Sequence, residues 1–310
     1  MTLAFCLYLP PTGWALPLAV IVPAAMVFDW KSLMLAAAAV AVVALGFCGW
    51  QQHSPGSASG NERVLTVMTF NRGESVGSLQ PFKNLIKPDV LLLQEAGNRA
   101  DRYAKSPGYE DLIYGEGIGE FGLVSRFPIT SKELISDGQT TMAARFTIEW
   151  DKQSVVLYCM HLPTPRFALR SLEHGAFLWG ILGEFGGWAE KRRSYEEWWH
   201  HQTFLAQTML RRAEAETLPC IIAGDSNAPA PGHIHYLLTR KFTDSHEAAG
   251  SGCGMSFPGT THNPLSLGGP WLRIDKILSN APWRPLWNKA EADRPSQHRA
   301  VAAAFALPSK

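Results

Sequence analysis

Hydrophobic positions fall into two textures along the chain. Through residue 50 they run almost unbroken, MTLAFCLYLPPTGWALPLAVIVPAAMVFDWKSLMLAAAAVAVVALGFCGW, with Asp29 and Lys31 the only charged side chains. From Val64 onward they come as short runs separated by turn-forming residues. A helix needs roughly 20 apolar residues to cross a hydrocarbon core of about 30 Å. Stretches near 9–28 and 32–50 meet that length on either side of a tight Asp29-Trp30-Lys31 turn. The pattern therefore predicts a transmembrane helical hairpin over residues 1–50, with Trp14, Trp30 and Trp50 as interfacial anchors. A cleaved signal peptide fits less well, because no basic segment precedes the apolar run. A buried soluble hairpin fits least, since neither stretch has a polar face. Lys31 is the only basic residue near the membrane before Arg63. The positive-inside tendency then puts the turn in the cytoplasm and the rest of the chain on the extracytoplasmic side.

Residues 51–62, QQHSPGSASGNE, read as a flexible linker to a folded domain over 63–308. Within that domain the apolar runs predict strands near 64–70, 89–94, 121–126, 140–150, 153–161, 219–224, 273–279 and 299–306. Longer mixed segments near 78–87 and 194–216 predict helices. Strands interleaved with helices indicate an α/β domain.

Composition changes this picture little. The chain has 310 residues, 46% hydrophobic and 18% charged, with 28 basic and 27 acidic side chains for a formal net charge of +1. That balance gives no electrostatic case for a dedicated nucleic-acid binder, although a local basic groove stays open. The cysteines Cys6, Cys48, Cys159, Cys220 and Cys253 form no CxxC pair and no disulfide framework. Cys159 and Cys220 lie in apolar runs, as buried, inert thiols do.

Candidate chemistry gathers at strand ends. The runs VLTVMTF, DVLLLQ, SVVLYCM and CIIAG end at Asn71, Glu95, His161 and Asp225-Ser226-Asn227, and WLRI leads into Asp275. Burying a carboxylate costs several kcal/mol unless it is paired or bound to metal. One such residue is an ordinary strand-end turn; the same placement on five runs points to convergence at one edge of packed sheets. Such a cluster offers the carboxylates of Glu95 and Asp225, the amides of Asn71 and Asn227, and the imidazoles of His161 and His298. Oxygen donors with few nitrogens and no sulfur suit Mg²⁺ or Mn²⁺. A cation held that way commonly completes its shell with water and substrate phosphate, which implies phosphoester hydrolysis.

These residues also carry a family resemblance. TFN at 69–71, LLLQE at 91–95, MHLPTPR at 160–166, GDSN at 224–227, RIDKIL at 273–278 and SQH at 296–298 resemble, in order and spacing, the signatures of the endonuclease/exonuclease/phosphatase family. The resemblance implies a four-layer α/β/β/α sandwich and a metal-dependent phosphoesterase. It makes Asn71 and Glu95 the metal site, with Glu95 the direct ligand. Asp225 becomes the residue that positions or deprotonates the attacking water, and Asn227 holds that water or the phosphate. His161 becomes a donor to the phosphoryl oxygens, and Asp275 the carboxylate that orients and charges His298. A departure stands at Gln297, where the family has aspartate. The amide keeps an oxygen for a weak metal contact but removes a negative charge, which lowers metal affinity and speaks against a second metal position.

Other basic residues are near these motifs. Arg166 and Arg170 follow His161 closely enough to meet substrate phosphate, with ordinary surface charge as the alternative; Arg72 after Asn71 stands the same way. The insertion between 162 and 200 contains AFLWGILGEFGGW, too short to span a bilayer and too rich in glycine for an isolated helix. It reads as a lid, a patch dipping into a membrane interface, or a local hydrophobic cluster. The pair His233 and His235 is a weak zinc pattern without further ligands nearby, and the loop 250–270 is a candidate rim for substrate recognition. The whole describes a membrane-anchored phosphoesterase acting on nucleic acid or phospholipid, or, if Gln297 has cost it catalysis, a binding protein on the same fold.

Overall fold

The computed structural model describes residues 4–28, 30–73, 78–97, 99–170, 187–260, 269–294 and 296–308. Its strands in chain order are β1 (Gln51–Gln52), β2 (Arg63–Asn71), β3 (Val90–Gln94), β4 (Tyr114–Ile118), β5 (Phe121–Ser125), β6 (Ile129–Ser136), β7 (Thr141–Trp150), β8 (Gln153–His161), β9 (Cys220–Asp225), β10 (Thr243–Asp244), β11 (Ser251–Gly252), β12 (Asp275–Ser279), β13 (Arg284–Ala290) and β14 (Val301–Leu307). They form two six-stranded mixed sheets, ordered β13-β14-β2-β3-β5-β4 and β10-β12-β9-β8-β7-β6, and a small β1-β11 ribbon. The central strands β3, β5 and β9 are buried along their whole length. That is why they appear in the sequence as unbroken apolar runs.

The layers follow from where side chains alternate. Leu65, Val67, Leu92 and Leu123 of the first sheet meet Phe146, Leu157, Ile221 and Ile277 of the second in one core. The outer face of the first sheet, Met68, Phe70, Leu91 and Leu93, packs on Phe82 and Ala100 from the helices Gln80–Ile86 and Ala100–Ala104. The outer face of the second, with Tyr158, Met160 and Ile222, packs on Leu205 and Met209 of Gly187–Glu214 and on Ile234 and Leu238 of His233–Thr239. The result is the expected α/β arrangement, sheet on sheet between helices.

Register aligns the chemistry. Strand β9 runs parallel to β8 and antiparallel to β12, and Asp225 is paired with His161 on one side and with Asp275 on the other. The close approach depends on Gly224, whose φ is +146° and whose added Cβ would fall 2.0 Å from the Met160 carbonyl oxygen. On the first sheet β2 runs parallel to β3, so Asn71 and Glu95 leave the same sheet edge.

The N-terminal expectation needs correction. Among the described residues no helix is long and apolar enough to cross a membrane. Pro10, Pro11 and Pro17 divide the first stretch into 3₁₀ turns at Ala4–Tyr8 and Pro11–Ala15 and a helix at Leu18–Phe28 of 11 residues, which accommodates Pro23 in its interior. The second stretch is a 10-residue α-helix, Ser32–Ala41, continued by a π-helical turn, Val42–Phe47. At about 1.5 Å per residue neither reaches the roughly 30 Å required. The transmembrane hairpin, the membrane partner and the extracytoplasmic placement drawn from it fall together. The two helices pack on each other and leave Val27, Phe28, Met34 and Leu35 exposed. Residues 51–62 lie along the domain: β1 pairs with β11, Gly56 N donates to Leu286 O, and Glu62 bonds Arg284.

Candidate active site

Three contacts across the two sheets build the site. Asn71, at the end of β2, donates from Nδ2 to Asp225 Oδ2 at 3.0 Å and to Glu95 Oε1 at 3.1 Å. His161, at the end of β8, pairs through Nδ1 with Glu120 Oε1 at 3.1 Å, from the turn that precedes β5. His298, just before β14, pairs through Nδ1 with Asp275 Oδ2 at 3.0 Å, on β12. With both Nδ1 atoms engaged, the Nε2 atoms face the same carboxylate oxygen, Asp225 Oδ2, at 3.8 Å for His161 and 3.7 Å for His298.

Asp225 is fully buried, and its Oδ1 accepts from the Asn227 backbone N at 2.7 Å. Burial raises its carboxyl above the ordinary range and Asp275 adds to that, while the charges of His298 and His161 partly oppose it. For His298, burial alone would lower the imidazole; the charges of Asp275 and Asp225 and the Asp275 hydrogen bond outweigh it and lift the pKa to about 9. His161 is raised in the same way, burial being outweighed by the Glu120 hydrogen bond and the charges of Asp225, Glu120 and Glu95. The site thus sets two imidazoles of raised pKa around one buried carboxyl group.

Asn227 donates from Nδ2 to Leu162 O at 2.8 Å, locking the GDSN loop to the chain that leaves β8. Glu95 and Asn227 both have left-handed backbone, φ 51° and 45°. Such conformations cost about 1–3 kcal/mol in non-glycine residues and persist where the surroundings enforce them. Lys276, fully buried, donates to Ser226 Oγ, Ala228 O and Arg273 O, and burial lowers its amine to about 7. It fastens the loop behind Asp225 to β12.

Three oxygen donors gather beside Gly73. Gly73 turns back with φ +43°, and a Cβ built on it would lie 3.7 Å from Asn71 Oδ1 and 3.8 Å from both Gln297 Oε1 and Glu95 Oε2. A cradle of three oxygens, one of them a carboxylate, suits Mg²⁺ or Mn²⁺. Glu95 is 44% exposed and so open to water and substrate. Asp225, Asp275 and His298 also lie within 4.8 Å of one another, but there the charged imidazole already occupies the space between the carboxylates. The group His235, Asp244 and Glu247 is different again: Arg273 bridges Asp244 at 2.6 Å and Glu247 at 3.0 Å, and His235 Nε2 meets Glu247 at 2.6 Å. A guanidinium therefore does there what a cation would. His233 is exposed while His235 is buried, so the pair shares no face.

These residues line a cavity of about 460 Å³. Asn71, Glu95, His161, Asp225, Asn227, Gln297 and His298 form its polar part, with exposed Arg166 at its rim. Arg72 does not line it and donates instead to Tyr103 Oη at 3.1 Å. The Arg170 side chain and residues 171–186, most of the aromatic insertion, lie outside the described residues, as do residues 261–268 of the 250–270 loop.

The sequence profile of the endonuclease/exonuclease/phosphatase family matches residues 72–298. The chain belongs to the endonuclease/exonuclease/phosphatase family. No curated protein sequence matches it. Among solved structures, a humanized D. rerio TDP2 carrying 14 mutations superposes with a TM-score of 0.53 at 16% identity, covering 78% of this chain and 98% of the other. A D. rerio TDP2 complexed with a single-strand DNA product gives 0.53 at 14% identity, over 78% and 98%. A mannosyl-6-phosphatase of Bacteroides thetaiotaomicron VPI-5482 gives 0.53 at 16% identity, over 78% and 100%. At these identities the likeness is one of fold. Family members are phosphoesterases and nucleases, so the site of this family member is one for phosphoester hydrolysis in general.

Several residues of the site have no signal in the sequence. Glu120 follows a glycine in a short turn and belongs to no motif. Ser256 donates to Asp275 Oδ2 at 2.6 Å from within the 250–270 loop. Phe257 stacks on His298 with ring centroids 4.8 Å apart. Tyr8 lines the cavity from the segment read as transmembrane.

Proposed function

We propose that this pocket hydrolyses phosphodiesters with the help of a divalent cation. The observation that carries the reading is the convergence of His161 Nε2 and His298 Nε2 on the single buried oxygen of Asp225. A cation held by Glu95, Asn71 and Gln297 would supply positive charge opposite the phosphoryl oxygens.

Asp225 accepts the proton of the attacking water. Its raised carboxyl is a better match to neutral pH than an ordinary one. The water oxygen bonds to phosphorus as the bond to the leaving oxygen breaks. The Nε2 protons of His161 and His298 then stabilise charge on the phosphoryl and leaving oxygens. Glu120 and Asp275 keep those protons on the inward nitrogens by engaging Nδ1. Asn227 holds Asp225 in line through its backbone N–H. Arg166 at the rim meets the incoming phosphate.

The test is hydrolysis of bis-p-nitrophenyl phosphate by the full chain with Mg²⁺ or Mn²⁺, repeated after chelation, with Asp225→Ala as the control for contaminating nuclease. Chelation is expected to lower the rate at least roughly tenfold. No hydrolysis above the Asp225→Ala background would instead support a binding protein on this fold. Gln297 gives a second prediction. Its oxygen keeps its place around Gly73 but carries no charge, so Gln297→Asp is expected to lower the half-saturating Mn²⁺ concentration by about tenfold. An unchanged metal titration in that variant would remove position 297 from the cation's shell.

A further inference from the structure

The N-terminal turn Ala4–Tyr8 does not extend away from the catalytic domain. Tyr8 Oη donates to the main-chain oxygen of Asn227 at 2.9 Å, and Trp271 Nε1 donates to the main-chain oxygen of Tyr8 at 3.1 Å. The Tyr8 ring meets Trp198 edge to face, with centroids 6.4 Å apart. Cys6 packs on the cluster of Ala168, Tyr195 and Trp199, and Leu7 lies close against Gly232. The segment is thus tied at three levels to elements more than 150 residues away, and its tyrosine is anchored to the very loop that carries Asp225.

The strap gives the cavity a side that the sandwich alone does not supply. Tyr8 lines the cavity from the strap, alongside the apolar side chains Leu169, Phe257, Trp271 and Leu272 of the domain. At about 460 Å³ the cavity has the size of a small-molecule site, which spans roughly 300–1,000 Å³. An internal phosphate of a nucleic-acid duplex brings flanking nucleotides and a second strand with it, more than a cavity of small-molecule size encloses. An apolar or aromatic alcohol attached to the phosphate would instead bury its surface against Tyr8 and Trp271.

We infer that the strap makes the site selective for compact phosphoesters of apolar or aromatic alcohols over internal phosphodiesters of duplex nucleic acid. This rests on the phosphoesterase reading above. The experiment compares two substrates in Mn²⁺, bis-p-nitrophenyl phosphate and supercoiled plasmid, using the full chain and the variants Tyr8→Ala and Trp271→Ala. The readout is the ratio of plasmid nicking to small-ester hydrolysis relative to wild type, in which the intrinsic reactivities of the substrates cancel. Tyr8→Ala is expected to raise that ratio by roughly tenfold, and to raise KM for the small ester because ring contacts are lost. Trp271→Ala, which removes both a ring lining the cavity and the donor that pins the strap, is expected to move the ratio the same way, and it decides the matter if Tyr8→Ala does not fold. A ratio unmoved in the folded variants overturns the inference while leaving the phosphoesterase reading intact. Hydrolysis of neither substrate by wild type overturns that reading, and the inference with it.

Discussion

Asp225→Asn is expected to lower kcat for phosphoester hydrolysis by roughly 10³, within the range by which positioned general bases accelerate reactions. The substitution is nearly isosteric, and Oδ1 can still accept from the Asn227 backbone N–H. What it removes is the oxygen on which Asn71 Nδ2, His161 Nε2 and His298 Nε2 converge. An amide nitrogen there sets a donor against three donors, so the site loses its proton acceptor and the focus of both imidazoles. The raised carboxyl also fixes the acid side of the wild-type pH profile. Its base form disappears as pH falls through a value above the ordinary carboxylate range. Steady-state kinetics on bis-p-nitrophenyl phosphate across pH checks both points. A kcat within about threefold of wild type would mean that Asp225 takes no proton.

The second large effect concerns His298, whose imidazole has a pKa of about 9 and is therefore charged at neutral pH. If its Nε2 proton stabilises the phosphoryl oxygens, kcat/KM falls on the alkaline side as pH rises through about 9. His298→Gln is expected to cost about 10²–10³ in kcat, the size of a lost donor in an oxyanion-type site. The more discriminating variant is Asp275→Asn. Burial works against the charged imidazole, and the Asp275 charge is the largest of the effects that overcome it. Without that charge the alkaline limb should move toward neutral pH, while a purely structural role for Asp275 would lower the rate without moving the limb. The same coupling acts on stability. A histidine raised above its ordinary 6.5 contributes in full below that value, and the contribution is lost as pH climbs through about 9.

The strands that carry the site were legible because they are central. β3, β9 and β14 are buried on both faces and read as continuous apolar runs, and their first polar neighbours mark where each strand leaves the core. The strands that went unread are marginal ones. β6, ITSKELIS, exposes most of its side chains; β4 contains two glycines; β13 begins with Arg-Pro. The partners that set proton positions were also hidden. Glu120 reaches His161 only because β5 and β8 lie on facing sheets, and sequence spacing contains no trace of that juxtaposition. The N-terminal reading failed for a related reason. Apolar length measures how much surface must leave water but not what will cover it, and in the first stretch Pro10 and Pro17 follow two short 3₁₀ turns, the first of which brings Tyr8 onto the site.

Three contacts of the site join one sheet to the other: Asn71 to Asp225, Glu120 to His161, His298 to Asp275. The three oxygens around Gly73 come from the ends of first-sheet strands, and Asp225 from the second sheet. The apolar interior between them is then more than ballast: it is the spacer of a caliper whose jaws are the two halves of the chemistry. A sideways slip of one sheet by a fraction of an ångström would leave every strand paired and every motif in place, yet open the jaws.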